Sequence, residues 1–225
     1  MVLDCVAESR CPLCKGAGVL WHREHRHKLT PREYHRCSQC QLVYVPAAWH
    51  LSPAEEKAHY DYHQNDPADP GYRRFLSRAV TPLLAWLSGR EGAKGLDFGC
   101  GPTSAVAVML AEHGIHCAQF DPYYRPDRRL LEQQFDFIVS TEVFEHLRQP
   151  GQEIAFLVSR LHTGGVLVVM TKRVRDLTAF RQWHYSLDPT HISYFSEQTF
   201  AWIAEQYGLR LEIIGPDVVM LHRDG

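Results

Sequence analysis

From Tyr72 onward the chain alternates short apolar runs with segments of helical period, and no other feature of its 225 residues restricts the fold as tightly. A strand that returns through a helix to a parallel neighbour is covered on both faces, so it reads apolar without alternation. The runs "KGLDF", "IHCAQF", "QFDFIVS" and "VLVVMT" fit that description. Helices are expected around them. "YRRFLSRAVTPLLAWLS" leads, "TSAVAVMLAEHG" stops at Gly114, and "PGQEIAFLVSRLHTGG" starts on a proline and ends on glycines. "SEQTFAWIAEQYG" opens as Ser-x-x-Thr, a weaker start than a full capping box, and stops at Gly208. "LRLEII" and "DVVML" flank Gly215-Pro216 closely enough for an antiparallel hairpin. The expected class is α/β: a mostly parallel sheet closed by an antiparallel C-terminal strand.

Residues 1–46 differ in character. Cys11, Cys14, Cys37 and Cys40 form two Cys-x-x-Cys pairs with 22 residues between them. Each pair makes a knuckle presenting two thiolates, and two knuckles complete a tetrahedral structural zinc site. His22, His25, His27 and His35 lie in the gap as alternative ligands. The segment holds little apolar material, and zinc would supply folding free energy on the order of 10 kcal/mol. The seven cysteines include Cys5, Cys100 and Cys117; this odd count and the lack of an apolar leader point to a reducing cytoplasm rather than disulfides. Residues 47–71 read as a linker with a short helix, begun by Ser52-Pro53-Ala54-Glu55 and broken by "NDPADPG". Residues 72–225 then form the main domain.

The turn "GLDFGCGPTS" sets Asp97 at a strand end, followed by Gly99 and Gly101. Glycines there let the backbone approach a ligand, and Asp121, ending the next strand, can accept hydrogen bonds from both hydroxyls of a ribose. Ligands of such sheets lie beyond the carboxyl ends of the strands, where the two acids converge. Asp97 would repel a pyrophosphate but attract an ammonium or a sulfonium. Together with "FDFIVSTEVFEHL", this set resembles the class I S-adenosylmethionine-dependent methyltransferases, from about Tyr72 to the C-terminus. The resemblance implies a Rossmann-like fold with S-adenosyl-L-methionine as cofactor. Asp97, Gly99 and Gly101 would meet its methionine end, Asp121 its ribose, and Thr141 would lie beside the transferable methyl. The sequence departs from that family in two ways. Thr103 replaces the third glycine, and only thirteen residues separate Asp121 from Phe135. That is short for the usual helix and third strand, so the sheet is expected to lack a strand.

"TEVFEHL" follows the strand "FDFIVS". As a helix it places Glu142, Glu145 and His146 at i, i+3 and i+4, on one face. Methyl transfer needs aligned partners and removal of a proton from the acceptor. His146 could act as general base, or the three groups could hold a divalent cation that lowers the pKa of the acceptor hydroxyl. The plain alternative is two carboxylates at the positive end of a helix and a histidine hydrogen-bonded in the core. Glu-x-x-Glu-His followed by His191 in "DPTHISYFSEQTF" resembles the ubiquinone-biosynthesis O-methyltransferases and the small-RNA 3′-terminal 2′-O-methyltransferases. This implies Glu142, Glu145, His146 and His191 as ligands of a divalent metal, and the set suits Mg²⁺, Mn²⁺, Fe²⁺ or Zn²⁺. Trp183, His184, Tyr185 and Tyr194 are candidates to wall an acceptor pocket, or simply to pack their loop. Lys172, Arg173 and Arg175 would meet an anionic substrate or form a solvated loop face.

The cysteine segment resembles the zinc-ribbon prefix of many bacterial methyltransferases, which implies a structural or substrate-docking role. Arg23, Arg26, Lys28, Arg32 and Arg36 outnumber Glu24 and Glu33 and leave an RNA contact open, although stacking aromatics do not alternate with them. The net charge of −2 makes no case for nucleic acid across the whole chain. The longest apolar run, "GVLVVM", is far short of the roughly 20 residues of a membrane span. These features point to a cytoplasmic methyltransferase with a structural zinc, methylating a small-molecule hydroxyl, with or without a second divalent metal. The rivals are an RNA methyltransferase docking through the ribbon and a catalytically idle zinc-ribbon interaction protein.

Overall fold

The computed structural model describes residues 9–25, 32–62 and 65–225. Cys5, Arg26, His27 and Lys28 lie outside the described residues. The chain begins with an antiparallel sheet of β1 (Ser9–Arg10), β2 (Ala17–Glu24), β3 (Arg32–Cys37) and β4 (Val43–Tyr44). Helix α1 (Pro53–Tyr60) starts where expected. Ser52 accepts from the Glu55 amide and the Glu55 carboxylate accepts from the Ser52 amide, a reciprocal cap that satisfies donors no helical carbonyl can reach. In α2 (Pro70–Leu87) the Asp69 side chain caps the Tyr72 amide, and Pro70 sits in the first turn, where its missing N–H costs nothing.

The main sheet comprises β5 (Gly95–Phe98), β6 (Cys117–Phe120), β7 (Phe135–Thr141), β8 (Leu161–Met170), β10 (Arg210–Ile214) and β11 (Val218–His222). Its spatial order is β10-β11-β8-β7-β5-β6. Strand β5 runs parallel to β6 and β7, and β7 parallel to β8, while β11 and β10 add antiparallel at the far edge. Between β6 and β7 there is only the Asp121–Arg125 bridge and a 3₁₀ turn, Arg128–Glu132, so β6 is an edge and the expected strand is missing.

Connections are made by α3 (Ala105–Ala111), α4 (Pro150–Ser159), α5 (Leu177–Arg181) and α6 (Glu197–Tyr207). Helix α4 stops earlier than its glycines suggested. Leu161 to Gly165 belong to β8, because buried Leu161 pairs with Phe135 of β7. The start of α6 is stronger than expected, since the Thr199 hydroxyl accepts from the Ser196 amide while Ser196 accepts from that of Thr199.

Two apolar layers cover the main sheet. One joins α2 and α3 to its strands; the other joins α4 and α6 to the opposite face and continues into Cys11, Leu13, Cys37, Cys40, Leu42 and Tyr44. The cysteine sheet is thus packed on the main core. Gly151 shows how closely: a Cβ there would lie 2.2 Å from the Leu13 carbonyl oxygen. A fifth strand, β9 (Ser193–Tyr194), pairs with β4 and completes the N-terminal sheet from the other end of the chain. No helix among the described residues is long and apolar enough to cross a membrane.

Candidate active site

A cleft of about 1040 Å³ opens at the carboxyl ends of β5, β6 and β7. Gly99 (φ 80°) and Gly101 (φ 66°) take left-handed backbone in the turn after β5, and a Cβ on Gly99 would lie 2.4 Å from Val143. Asp97 is 2% exposed and accepts a 2.5 Å hydrogen bond from Ser104, the N-cap of α3. Burial pushes its carboxyl up to about 7, the Ser104 hydroxyl opposing and the Asp121 charge adding to the rise. Asp121 accepts from the amides of Gly101 (3.0 Å), Tyr123 (2.8 Å) and Tyr124 (3.0 Å). A carboxylate offers about four acceptor positions, so Asp121 holds the loop and keeps one for a ligand. Asp97, Gly99, Gly101, Asp121 and Thr141 all line this cleft.

The acidic turn is not the single helix face that its spacing suggested. Glu142 has φ 54° and donates its amide to the Met170 carbonyl, which breaks helical continuity; only Phe144–His146 forms a 3₁₀ turn. Glu145, His146 and His191 offer ligand atoms all within 4.8 Å of one another, and Glu142 lies outside this group while still lining the cleft. Fully buried Glu145 accepts from Thr171 (2.8 Å) and from the Tyr185 hydroxyl (2.5 Å). His146 Nδ1 faces the Thr190 carbonyl at 3.1 Å, and His191 Nδ1 faces that of Tyr185 at 2.7 Å. A carbonyl only accepts, so each Nδ1 carries a proton, and a neutral ring so held has its lone pair on Nε2. Burial and the neighbouring His146 hold the His191 pKa below its usual range, favouring the neutral ring. Histidines so oriented, beside a carboxylate, fit a divalent cation as well as they fit a proton acceptor. Burial, then the Glu145 charge, pushes the Glu142 carboxyl up to about 8, and its buried Oε1 has no hydrogen-bond partner.

The four cysteine sulfurs also converge within 4.8 Å, with Cys11 and Cys40 at 3.5 Å and Cys14 and Cys37 at 3.3 Å. Tetrahedral zinc with bonds of about 2.3 Å separates its sulfurs by about 3.8 Å, which this cluster reaches with small adjustment. The amides of Gly16 and Gln39 point at Cys14 and Cys37, and left-handed Lys15 and Gln41 follow the two knuckles in parallel fashion. His22, His25 and His35 are not members of the cluster.

The cysteine sheet reaches the cleft through Arg32. This buried guanidinium donates to the carbonyls of Asp188 (2.7 Å), Pro189 (3.2 Å) and His191 (2.6 Å). Tyr34 and Tyr194 hold the same loop through Ser186 and His191. Arg32 is thereby committed to protein carbonyls, and Arg23 pairs with Glu33. Of the candidate wall residues, Tyr185 lines the cleft, whereas buried Tyr194 and the neighbouring Trp183 pack against Phe180. Sequence reasoning missed Thr171, Glu56 and Tyr60. Helix α1, read as part of a linker, walls the cleft: Tyr60 lies edge-on to His146 at 5.2 Å, and Glu56 binds Arg148 at 2.7 Å. The aromatic crowding of "HYDYH" was the available signal.

A family model described as a methyltransferase domain matches residues 71–213, more than half of the chain. No curated protein sequence matches. Among solved structures, an O-methyltransferase family protein from Burkholderia thailandensis superposes with a TM-score of 0.51 at 14% identity, covering 76% of this chain and 63% of its own. The chain thus spans less than two thirds of that relative. The 1,6-didemethyltoxoflavin-N1-methyltransferase of the same organism, solved with 1,6-didemethyltoxoflavin and S-adenosylhomocysteine, gives 0.50 at 14%, covering 91% and 100%. The DszA carbon methyltransferase gives 0.51 at 17%, covering 70% and 56%. Their names span oxygen, nitrogen and carbon acceptors, so this likeness describes the fold alone.

Proposed function

The chain belongs to this methyltransferase-domain family, and from that premise we propose that it transfers the methyl group of S-adenosyl-L-methionine to a hydroxyl of a small molecule. One observation carries the reading: Glu145, His146 and His191 meet in the cleft that also holds Asp97 and Asp121. A hydroxyl must lose a proton as its oxygen attacks.

The cofactor supplies a methyl on a sulfonium, whose carbon–sulfur bonding pair stays with sulfur as the acceptor oxygen bonds to carbon. Asp97 would face its cationic methionine end, Asp121 would take a ribose hydroxyl, and Thr141 would lie beside the reacting carbon. The acceptor proton passes to Nε2 of His146 or His191, each held by the hydrogen bond at its Nδ1. Thr171 and Tyr185 fix Glu145, which steadies the imidazolium that forms. The same three residues could instead hold a divalent cation that acidifies the hydroxyl, with Glu142 lining the same cleft. Cys11, Cys14, Cys37 and Cys40 hold a structural zinc in an N-terminal module of residues 1–46, and residues 72–225 form the catalytic unit.

The test is to incubate the full chain with S-adenosylmethionine labelled on its methyl and a size-fractionated cell extract. Label in a small-molecule ether, lost in His191→Ala, supports the reading. Label in a methyl ester, in RNA, in protein, or on nitrogen or carbon overturns it.

A further inference from the structure

A second cleft of about 710 Å³ adjoins the first at the carboxyl end of β8, with Lys172 in the lining of both. Arg36, Arg78, Lys172, Arg173 and Arg175 line it, against the carboxylates of Glu197 and Asp217. The whole chain carries a net charge of −2, so this excess of cations is local and not a reflection of composition.

Two of the cations have structural work. Arg78 pairs with buried Asp217; Arg173, nearly buried, donates to the carbonyls of Gly215 and Val218 and meets Glu197 at 3.3 Å. The others do not. Arg36 reaches only the Gln198 side chain, at 3.4 Å, and lies over the Trp21 ring. Lys172 Nζ sits 5.0 Å from the centre of the Tyr185 ring. No carboxylate lies within ion-pair distance of Arg36, Lys172 or Arg175 among the described residues. They arrive from β3 and from the loop after β8, segments far apart in sequence. Bringing like charges together around a cavity is unfavourable in the empty protein, and guanidinium forks match the oxygens of phosphate and carboxylate groups.

We propose that this cleft binds a phosphate or carboxylate group carried by the methyl acceptor. Lys172 lines both clefts; the Tyr185 ring beneath its ammonium lines the first, and the Tyr185 hydroxyl bonds Glu145. An acceptor anchored by its anionic end beside Lys172 presents its other end to Glu145, His146 and His191. Trp183 and Phe180 contribute an apolar surface beside the anchor. The inference rests on the methyl-transfer reading and narrows its substrate class to anionic molecules.

Calorimetric titration of the full chain with inorganic pyrophosphate, and separately with succinate, tests it, each in the presence of saturating S-adenosylhomocysteine. At least one anion should bind at a single site, weaken as salt rises, and lose affinity about tenfold or more in Arg175→Glu. Arg36→Gln should weaken it less. S-adenosylhomocysteine affinity should stay within twofold in both variants. Binding of pyrophosphate alone assigns a phosphate-bearing acceptor, and of succinate alone a carboxylate. If neither anion binds, or if both bind Arg175→Glu as well as the wild type, the inference is wrong. Failure of S-adenosylhomocysteine itself to bind would strike the methyl-transfer reading instead.

Discussion

The two sheets are held together by different means. The six-stranded sheet is sandwiched between two apolar layers, and Val166 to Met170 and Val218 to Leu221 are all but inaccessible to solvent. The five-stranded sheet leaves Val19 and Leu20 of β2 exposed, at 60% and 45%. Its interior is a cysteine cluster at one end and an aromatic group around Tyr34, Phe180 and Tyr194 at the other, and two of those three rings come from the C-terminal half. A sheet this small cannot bury enough apolar area to offset its chain entropy, so it draws on borrowed elements and, in the function proposed above, on a zinc held by its four cysteines. That dependence has a functional side. The elements it borrows, β9 and the loop before it, carry His191 and Tyr185.

Removing the proposed zinc ligands tests this contrast most severely. Cys37→Ser with Cys40→Ser should abolish bound zinc, measured by elemental analysis, and withdraw folding free energy on the order of 10 kcal/mol from the small sheet. Turnover should be lost, while S-adenosylhomocysteine binding, which the proposed function assigns to the main sheet, falls only a few-fold. Retained turnover would break the comparison.

Next in size, Glu145→Gln or His191→Ala should lower kcat by about 10²- to 10⁴-fold with cofactor affinity within twofold, as read by steady-state kinetics and calorimetry. Equal loss in both quantities would mean that the two sites are not separate.

Arg32→Met sharpens the link between the sheets. It strips three carbonyls of a charged donor, each such bond being worth about 1.5–3 kcal/mol, and frees the loop that presents His191. We expect kcat to fall about tenfold or more, KM for S-adenosylmethionine to hold, and Arg32→Lys to recover part of the loss. An unchanged kcat would make the small sheet a passenger.

The smallest effect concerns the main sheet alone. Ligand-free Asp97 keeps its proton up to about pH 7, whereas in the unfolded chain it ionises near its ordinary value of about 4. Between these limits the folded state binds more protons, so stability falls as pH rises and levels off above about 7. Asp97→Asn should remove that slope and raise Tm at pH 8 by about a few degrees, while abolishing cofactor binding. A Tm difference independent of pH would refute the assignment. The large core tolerates such a strained site, which the small sheet could not.

Most of the main fold was legible because its signals are local. Strand runs, caps and terminating glycines are each written within a few residues, and the thirteen residues after Asp121 were enough to announce a missing strand. The site was legible only in part. That Asp97 and Asp121 line one cleft follows from sheet topology, whereas the spacing put Glu142, Glu145 and His146 on a helix face that does not form, and His191 was expected only from the family resemblance. Glu142 left the group because a hydrogen bond to Met170, remote in sequence, fixed a left-handed residue where a helix was expected.

By itself, then, the amino-acid order determined the α/β alternation, the paired knuckles and the glycine turn, since each depends on backbone propensity and side-chain period over a short span. Only the tertiary structure decided that β9 completes the cysteine sheet, that Arg32 clamps the His191 loop, that α1 walls the cleft, and that cations from separate segments share a second cavity. Those contacts join residues far apart in the chain, 92 positions between Glu56 and Arg148 and 159 between Arg32 and His191, and no local preference encodes them. They exist because burying the apolar faces of both sheets leaves one economical way to pack them together.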